Sequence, residues 1–392
     1  MAKKPLRTKT LAIWDLDNTL TDTLKFWGTA TLPAVRMLAH EFSIPEDDLM
    51  QALRRAPSQY RFCDFGALVG WLDDKACLLP DIPPGERRYA KKVTKSALRQ
   101  MWYGTQKKMT VFYPGALETL QQIKAQGTAN VIYTDTEASS LIRRFWLLAY
   151  NARRRGLVKD EQEILDLIDH FYCMPSIEDD QAILRDCDVN FALRLKEKMS
   201  IWRDNIRKPS IDHTGIILAD FGTKPKNAVF IGDSNKDGSS ARPAGVDFAW
   251  CRFGVKIDPE TMRANVALSA PEYKFGIKAI RDAFGKTGRP SRVIRNDLRE
   301  LFGMYDFAPG KPFNGPLYSG TAESSYPRTD GGPEGQNRVV HRLAPAFRSP
   351  ERPSPLGPAT HFEPETPAPT AQAPDGTAGP GTQDSPPPPS PV

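Results

Sequence analysis

Four short apolar runs punctuate the first two-thirds of the chain: Leu11-Ala12-Ile13-Trp14, Asn130-Val131-Ile132-Tyr133, Ala228-Val229-Phe230-Ile231 and Asp247 to Cys251. Each is too short for a helix and has little polar alternation. That pattern predicts strands buried on both faces of a mostly parallel sheet. Between them the apolar positions recur at helical spacing. Glu137 to Ala149 predicts one helix. Ile177 to Arg207, with Ile183, Leu184, Phe191, Leu195, Met199 and Trp202, predicts one or two more packed by the mouth of a site. Strands alternating with helices define an α/β fold of Rossmann type, with helices on both faces of the sheet.

A different pattern fills the interval after Thr21. Leu32, Val35, Leu38, Ala39 and Phe42 share a helical face. Further periodic stretches run over Leu49–Leu53, Phe65–Leu72 and Val93–Trp102, separated by Pro45, Pro57, Pro80 and Pro83-Pro84. This segment, 22–111, is long enough for a small helical domain. The expected organisation is a core over 1–21 and 112–285, a helical cap over 22–111, a helical insertion at 177–207, and a tail over 286–392 that is largely disordered. From Pro350 to Val392 the chain is dense in proline and poor in large apolar residues, so it cannot bury enough surface to offset the entropy of ordering.

The chemistry-bearing residues fall where the strands end. Asp15 and Asp17 follow the first run, two residues apart and so on one face of an extended segment. Two carboxylates that close are costly unless a cation neutralises them or one stays protonated. Thr134 and Asp135 follow the second run, and a threonine there offers its hydroxyl to a phosphate beside the N–H groups of a helix start. Lys208-Pro209 supplies an ammonium as a point charge. Gly232-Asp233-Ser234-Asn235-Lys236-Asp237, with Ala244-Gly245 downstream, follows the third.

In this order the segments resemble the four motifs of the haloacid dehalogenase (HAD) superfamily of phosphohydrolases. Asp15-Leu16-Asp17-Asn18-Thr19 matches its Asp-x-Asp-x-Thr, Thr134 its second motif, Lys208 its third, and Gly232 to Asp237 its fourth. The stretch Phe112 to Leu120 resembles the family's return from cap to core, in the manner of phosphoglycolate phosphatase-like relatives. The resemblance implies that Asp15 is a nucleophile forming an aspartyl-phosphate, and that Asp17 is the acid/base. Thr134 and Lys208 would face the phosphoryl group, and Asp135, which stands where relatives often carry Asn, would border that phosphate site while pointing away or capping the next helix. Mg²⁺ would be held by Asp15, the main-chain carbonyl of Asp17, Asp233 and, directly or through water, Asp237. Relatives that cleave carbon–halogen bonds do not keep the second Asp, so a phosphatase is expected. Its substrate would be a small phosphate ester: phosphoglycolate, a nucleotide or a sugar phosphate. The alternatives are a phosphotransferase using the same intermediate, and a non-enzymatic scaffold working through the Pro-rich tail.

Composition narrows the remainder. The length of 392 residues suits about two folded units. The net charge of +6 is mild, and the basic run of Arg143-Arg144 with Arg153-Arg154-Arg155 reads as a solvated face suited to anionic substrates. No aromatic platform accompanies it, so nucleic acid is not an expected partner. The tail offers a polyproline ligand to a partner domain. The five cysteines lack Cys-x-x-Cys spacing, which argues against a zinc site or disulfide framework. No apolar run approaches the length of a membrane span, roughly 18 residues. The catalytic strand begins by Leu11, too early for a cleavable leader, and the cytoplasm is the expected location.

Overall fold

The structure is a computed structural model, and it describes residues 6–41, 45–55, 96–97, 100–176, 187–202, 206–268, 276–313, 315 and 340–342. The elements in chain order are β1 (Arg7–Lys9), β2 (Leu11–Trp14), α1 (Thr23–Glu41), α2 (Glu46–Arg55), α3 (Ala116–Ala125), β3 (Ala129–Glu137), α4 (Ala138–Arg154), α5 (Gln162–Asp166), β4 (His170–Met174), α6 (Val189–Glu197) and β5 (Met199–Trp202). They continue as α7 (Ile211–Asp220), β6 (Ala228–Gly232), α8 (Asn235–Ala241), β7 (Asp247–Cys251), α9 (Pro259–Leu268), α10 (Ile277–Ala283), β8 (Arg292–Ile294), β9 (Tyr305–Phe307) and β10 (Val340–Arg342).

Eight strands form the main sheet in the order β10-β5-β4-β3-β2-β6-β7-β8. All neighbours pair in parallel except β10, which runs antiparallel to β5. Strand β2 sits between β3 and β6, with Trp14 level with Ile132 on one side and Ile231 on the other. The chain builds outward from β2 through β3, β4 and β5. It then crosses to β6 and builds outward on the other side through β7 and β8. The reversal puts the topological switch point between β2 and β6, beyond whose carboxyl ends open parallel sheets hold ligands.

Both faces of the sheet are covered, which is why the strands read as continuous apolar runs. Ala12 and Trp14 of β2 point toward Leu120, Phe145 and Leu148 of α3 and α4. Leu11 and Ile13 point the other way, toward Ile217 and Phe221 beside α7 and Phe284 after α10. A second, two-stranded sheet pairs β1 with β9. Its Lys9, wholly buried, donates to the carbonyls of Lys226 and Ala228 and pairs with Asp247 at 2.8 Å, locking this small sheet against β6 and β7.

Within 22–111 the described residues are helical apart from Asp22, Pro45, Thr110 and Val111. Leu32, Val35, Leu38 and Ala39 of α1 and Leu49 of α2 are buried, as the periodicity predicts. Phe26 of α1 meets Trp102 edge-on, with ring centroids 5.4 Å apart. Helix α9 packs against both α1 and α2. Phe42, Pro57, Tyr60, Cys63, Phe65–Leu72, Cys77, Pro80 and Pro83-Pro84 lie outside the described residues, as do 343–392.

Two expectations need correction. Met199 and Trp202 are not helical: after α6 ends at Glu197 the chain forms β5, a further parallel strand of the main sheet. A four-residue apolar run fits a strand or one helical turn equally well, and here pairing with β4 decides. The core also does not stop at 285. Strand β8 extends the main sheet, and Leu298, Leu301, Tyr305 and Phe307 are buried in it. Three-residue strands among polar residues leave little periodic signal, so composition hid them.

Candidate active site

Asp15 immediately follows β2 and Asp233 immediately follows β6, so sheet register alone brings the two carboxylates to the same switch point. The backbone N–H of Asp15 donates to the carbonyl of Ile231 at 2.8 Å and extends the pairing to the last residues. Carboxylate oxygens of Asp15, Asp233 and Asp237 all lie within 4.8 Å of one another, and all three residues are buried. Into this cluster projects Lys208, which donates to Asp15 at 2.5 Å, to Asp237 at 2.7 Å and to the carbonyl of Tyr133 at 3.2 Å. Its ammonium also lies over the rings of Tyr133 and Phe230.

Burial without a matching cation has the expected electrical effect. Desolvation, reinforced by the neighbouring Asp237 and Asp17, outweighs Lys208 and pushes the Asp15 carboxyl up to about 8. Desolvation and the charges of Asp15 and Asp237 likewise push Asp233 well above the ordinary carboxylate range. Burial alone would lower Lys208, but Asp15 and Asp237 outweigh it and hold the ammonium charged. Three carboxylates against one ammonium leave the cluster short of positive charge. That donor set, hard oxygens with a cation deficit to fill, fits a divalent cation of the Mg²⁺ kind.

Asp237 sits at the start of α8 and is anchored there. Its Oδ2 accepts from the N–H and hydroxyl of Ser234 at 3.0 and 2.7 Å, while Oδ1 accepts from Lys208. The Ser234 hydroxyl in turn accepts from the Asp237 N–H, completing a capping box. This close approach requires Gly232: a Cβ there would lie 2.5 Å from the Asp237 carboxylate. Asp237 therefore orients Lys208, while its carboxylate also stands with those of Asp15 and Asp233 in the group of oxygens that could hold a cation.

Asp17 belongs to the same loop but its side chain is engaged elsewhere. Arg144 of α4 grips it with both terminal nitrogens, while Thr23 and Thr136 donate hydroxyls at 2.6 and 3.1 Å. Burial would raise its carboxyl, but the Arg144 charge and these hydrogen bonds prevail and hold it below the ordinary value. The carboxylate side chain of Asp17 is thus no member of the metal-facing cluster. The loop is held by Asn18, whose backbone lies in the left-handed region at φ 56° and whose side chain accepts from the N–H of Leu24. Gly254 packs on it so closely that a Cβ would fall 1.6 Å from the Asn18 carbonyl oxygen.

The other two candidates are tied into the support of this loop. Strand β3 runs on to Glu137 rather than ending at Tyr133, and its register against β4 is irregular between those residues. Irregularities of this kind re-aim side chains. Thr134, buried, donates to the Thr136 hydroxyl at 3.0 Å and accepts from its N–H at 3.2 Å. Asp135 accepts from the backbone N–H of Lys208 at 2.8 Å, so its carboxylate fixes the lysine loop and does not cap α4. The Lys208–Pro209 peptide is cis.

Sequence reasoning missed Arg144, Thr136 and Thr23. The basic run predicts a solvated face for Arg144 with Arg143, yet the Arg144 side chain is 12% exposed and turned inward. The signal was present: Arg144 lies three residues after Leu141 and four before Leu148, both buried, so it borders the core face of α4.

No protein-family model matches the chain, and no curated protein matches it. Among solved structures it is similar to a predicted phosphoglycolate phosphatase from Haemophilus somnus 129PT, at 15% identity and a TM-score of 0.38 over 75% of this chain and 97% of that one. It is also similar to 2-haloacid dehalogenase from Pseudomonas syringae pv. Tomato DC3000, at 17% identity and a TM-score of 0.38 over 76% and 97%. A third is the magnesium-bound orthorhombic form of YfnB, a HAD-hydrolase candidate from Bacillus subtilis, at 16% and 0.37 over 77% and 100%. With identities and TM-scores this low, the likenesses bear on neither activity nor substrate.

Proposed function

We propose that the protein is a HAD-type phosphomonoester hydrolase that uses Mg²⁺ and passes through an aspartyl-phosphate. The observation that carries this reading is the buried cluster of Asp15, Asp233, Asp237 and Lys208 at the switch point of the sheet, with Asp17 two residues from Asp15. Asp15 and Asp233, with the main-chain carbonyl of Asp17, would hold the ion. When bound, it neutralises the carboxylates and the phosphoryl oxygens and lets two anions approach.

The chain's own residues divide the rest of the work. Asp15 attacks phosphorus through a carboxylate oxygen as the bond from phosphorus to the leaving oxygen breaks. Asp17 gives that oxygen a proton taken up with the substrate, then takes one from the water that attacks phosphorus and frees Asp15. Lys208 offsets charge on Asp15 and on the equatorial phosphoryl oxygens, and Asp237 and Asp135 keep its ammonium and backbone in place. Thr134 would offer its hydroxyl to a phosphoryl oxygen by turning from Thr136. Helices α1 and α2 of the 22–111 segment would border the site and select the leaving group. The substrate class is a small phosphate ester such as phosphoglycolate, a nucleotide or a sugar phosphate.

The test is phosphate release from a panel of such esters with Mg²⁺, with EDTA and Asp15→Asn as controls. Hydrolysis that needs both the metal and Asp15 is expected. Failure to release phosphate from any ester, with folded protein, would favour the scaffold reading through the Pro-rich tail. Transfer to added alcohols in preference to water would favour the phosphotransferase. Among the described residues no helix is long and apolar enough to cross a membrane, and the cytoplasm is the proposed location.

A further inference from the structure

The proposed chemistry gives Arg144 no task, yet its surroundings are highly specific. Its two terminal nitrogens bond to different oxygens of Asp17. The same nitrogens also reach the hydroxyls of Thr23 at 2.8 Å and Thr136 at 3.4 Å, which themselves donate to Asp17. Four donors from α1, β3 and α4 therefore surround one carboxylate, which has about four lone-pair sites to give. The two threonine hydroxyls can each rotate about a single bond and free a lone pair. The guanidinium cannot leave without breaking a two-point contact that fixes both the position and the plane of the carboxylate.

We propose that Arg144 is the positioning residue for Asp17. The fork holds the carboxylate in place while a threonine hydroxyl yields its site, first to the leaving oxygen and then to the attacking water. This rests on the reading of Asp17 as the acid/base. In the first half-reaction the proton passes from Asp17 to the leaving oxygen as its bond to phosphorus breaks. In the second it returns from water to Asp17 as the new bond to phosphorus forms and Asp15 is released. A lysine here would keep the charge but lose the planar two-point contact.

The experiment compares two substrates in Arg144→Lys, Arg144→Met and Asp17→Asn. One is p-nitrophenyl phosphate, whose leaving group departs with little need of a proton. The other is the alkyl phosphomonoester hydrolysed fastest in the panel. General acid–base catalysis contributes roughly 10² to 10⁴ in rate. Arg144→Lys is accordingly expected to lower kcat/KM, which reports the half-reaction in which the leaving oxygen departs, at least about tenfold more on the alkyl ester than on the p-nitrophenyl ester. Asp17→Asn should follow the same selectivity. Arg144→Lys keeps the long stem and the charge, so it stays informative if Arg144→Met does not fold; a thermal melt checks both.

Equal losses of kcat/KM on the two esters, or no loss on either, would each overturn the proposal. If wild type hydrolyses neither ester, the phosphatase reading fails and takes this inference with it. If wild type is active but Asp17→Asn lacks the selectivity, the role of Asp17 fails while hydrolysis stands.

Discussion

A buried cluster short of positive charge makes folding depend on pH and on metal in a way that can be computed before any substrate is known. Asp15 titrates near 8 in the metal-free fold, because burial and its acidic neighbours outweigh Lys208. In the unfolded chain the same group titrates at about 4. Between these values the folded state binds the extra proton, so stability falls as pH rises. The slope is about 1.4 kcal/mol per pH unit for one proton. From pH 5 to 7, Asp15 alone thus removes about 3 kcal/mol, and Asp233, shifted in the same direction, steepens the fall. Asp17 and Asp247 are shifted downward and act only in more acidic solution, below the window. A divalent cation must displace these protons, so its stabilisation grows with pH and flattens the slope. Urea unfolding at fixed steps from pH 5 to 8, with EDTA or with Mg²⁺, measures both effects. Asp15→Asn should lose the part of the slope that belongs to Asp15. Metal-free stability that is flat or rising over this window would refute the reasoning, as would equal stabilisation by Mg²⁺ at pH 5 and pH 8.

Other perturbations test the supports of the site. Lys208→Met leaves Asp15 and Asp237 without their shared cation; breaking a buried pair from one side costs about 3–5 kcal/mol, read by urea unfolding in EDTA, and hydrolysis should be abolished. Gly232→Ala drives a Cβ into the Asp237 carboxylate, so it should cost about 1–3 kcal/mol by the same measurement and lower kcat, since Lys208 loses its orientation. Asp247→Asn strands the buried Lys9, and an unfolding free energy lowered by about 3–5 kcal/mol, read by urea unfolding, is expected. Burial would raise Asp247, but Lys9 and Arg7 hold its carboxyl below the ordinary value. Its contribution is therefore present above the unfolded value and lost as pH falls through the folded one, and Asp247→Asn should remove that acid-side loss.

How far the sequence carried follows from which interactions are local. Strands β2, β6 and β7 are legible because both their faces are covered, which forces uninterrupted apolar runs. Asp15 and Asp233 are legible because they stand directly after such runs. Sheet register, which the sequence does not display, then brings them together. What escaped is what depends on partners distant in the chain. Met199 to Trp202 became a strand through β4, and Arg292 to Ile294 through β7. Arg144 is 127 residues from Asp17, and nothing near it in sequence marks an ion pair. Its helical face was readable, but only the fold gives that face a carboxylate to meet. Asp135 is the reverse case. Proximity to Thr134 suggested a phosphate contact, whereas its carboxylate holds the backbone of Lys208, 73 residues on.

The central claim is that Asp15 becomes phosphorylated. The most direct test uses Asp17→Asn, which should slow release of the intermediate, mixed with labelled ester and Mg²⁺ and quenched in acid within a turnover. Peptide mapping should place the phosphate on the segment containing Asp15, in a bond that hydroxylamine cleaves. Phosphate on a serine or histidine, or full turnover with no phosphate ever bound to the protein, would contradict the account.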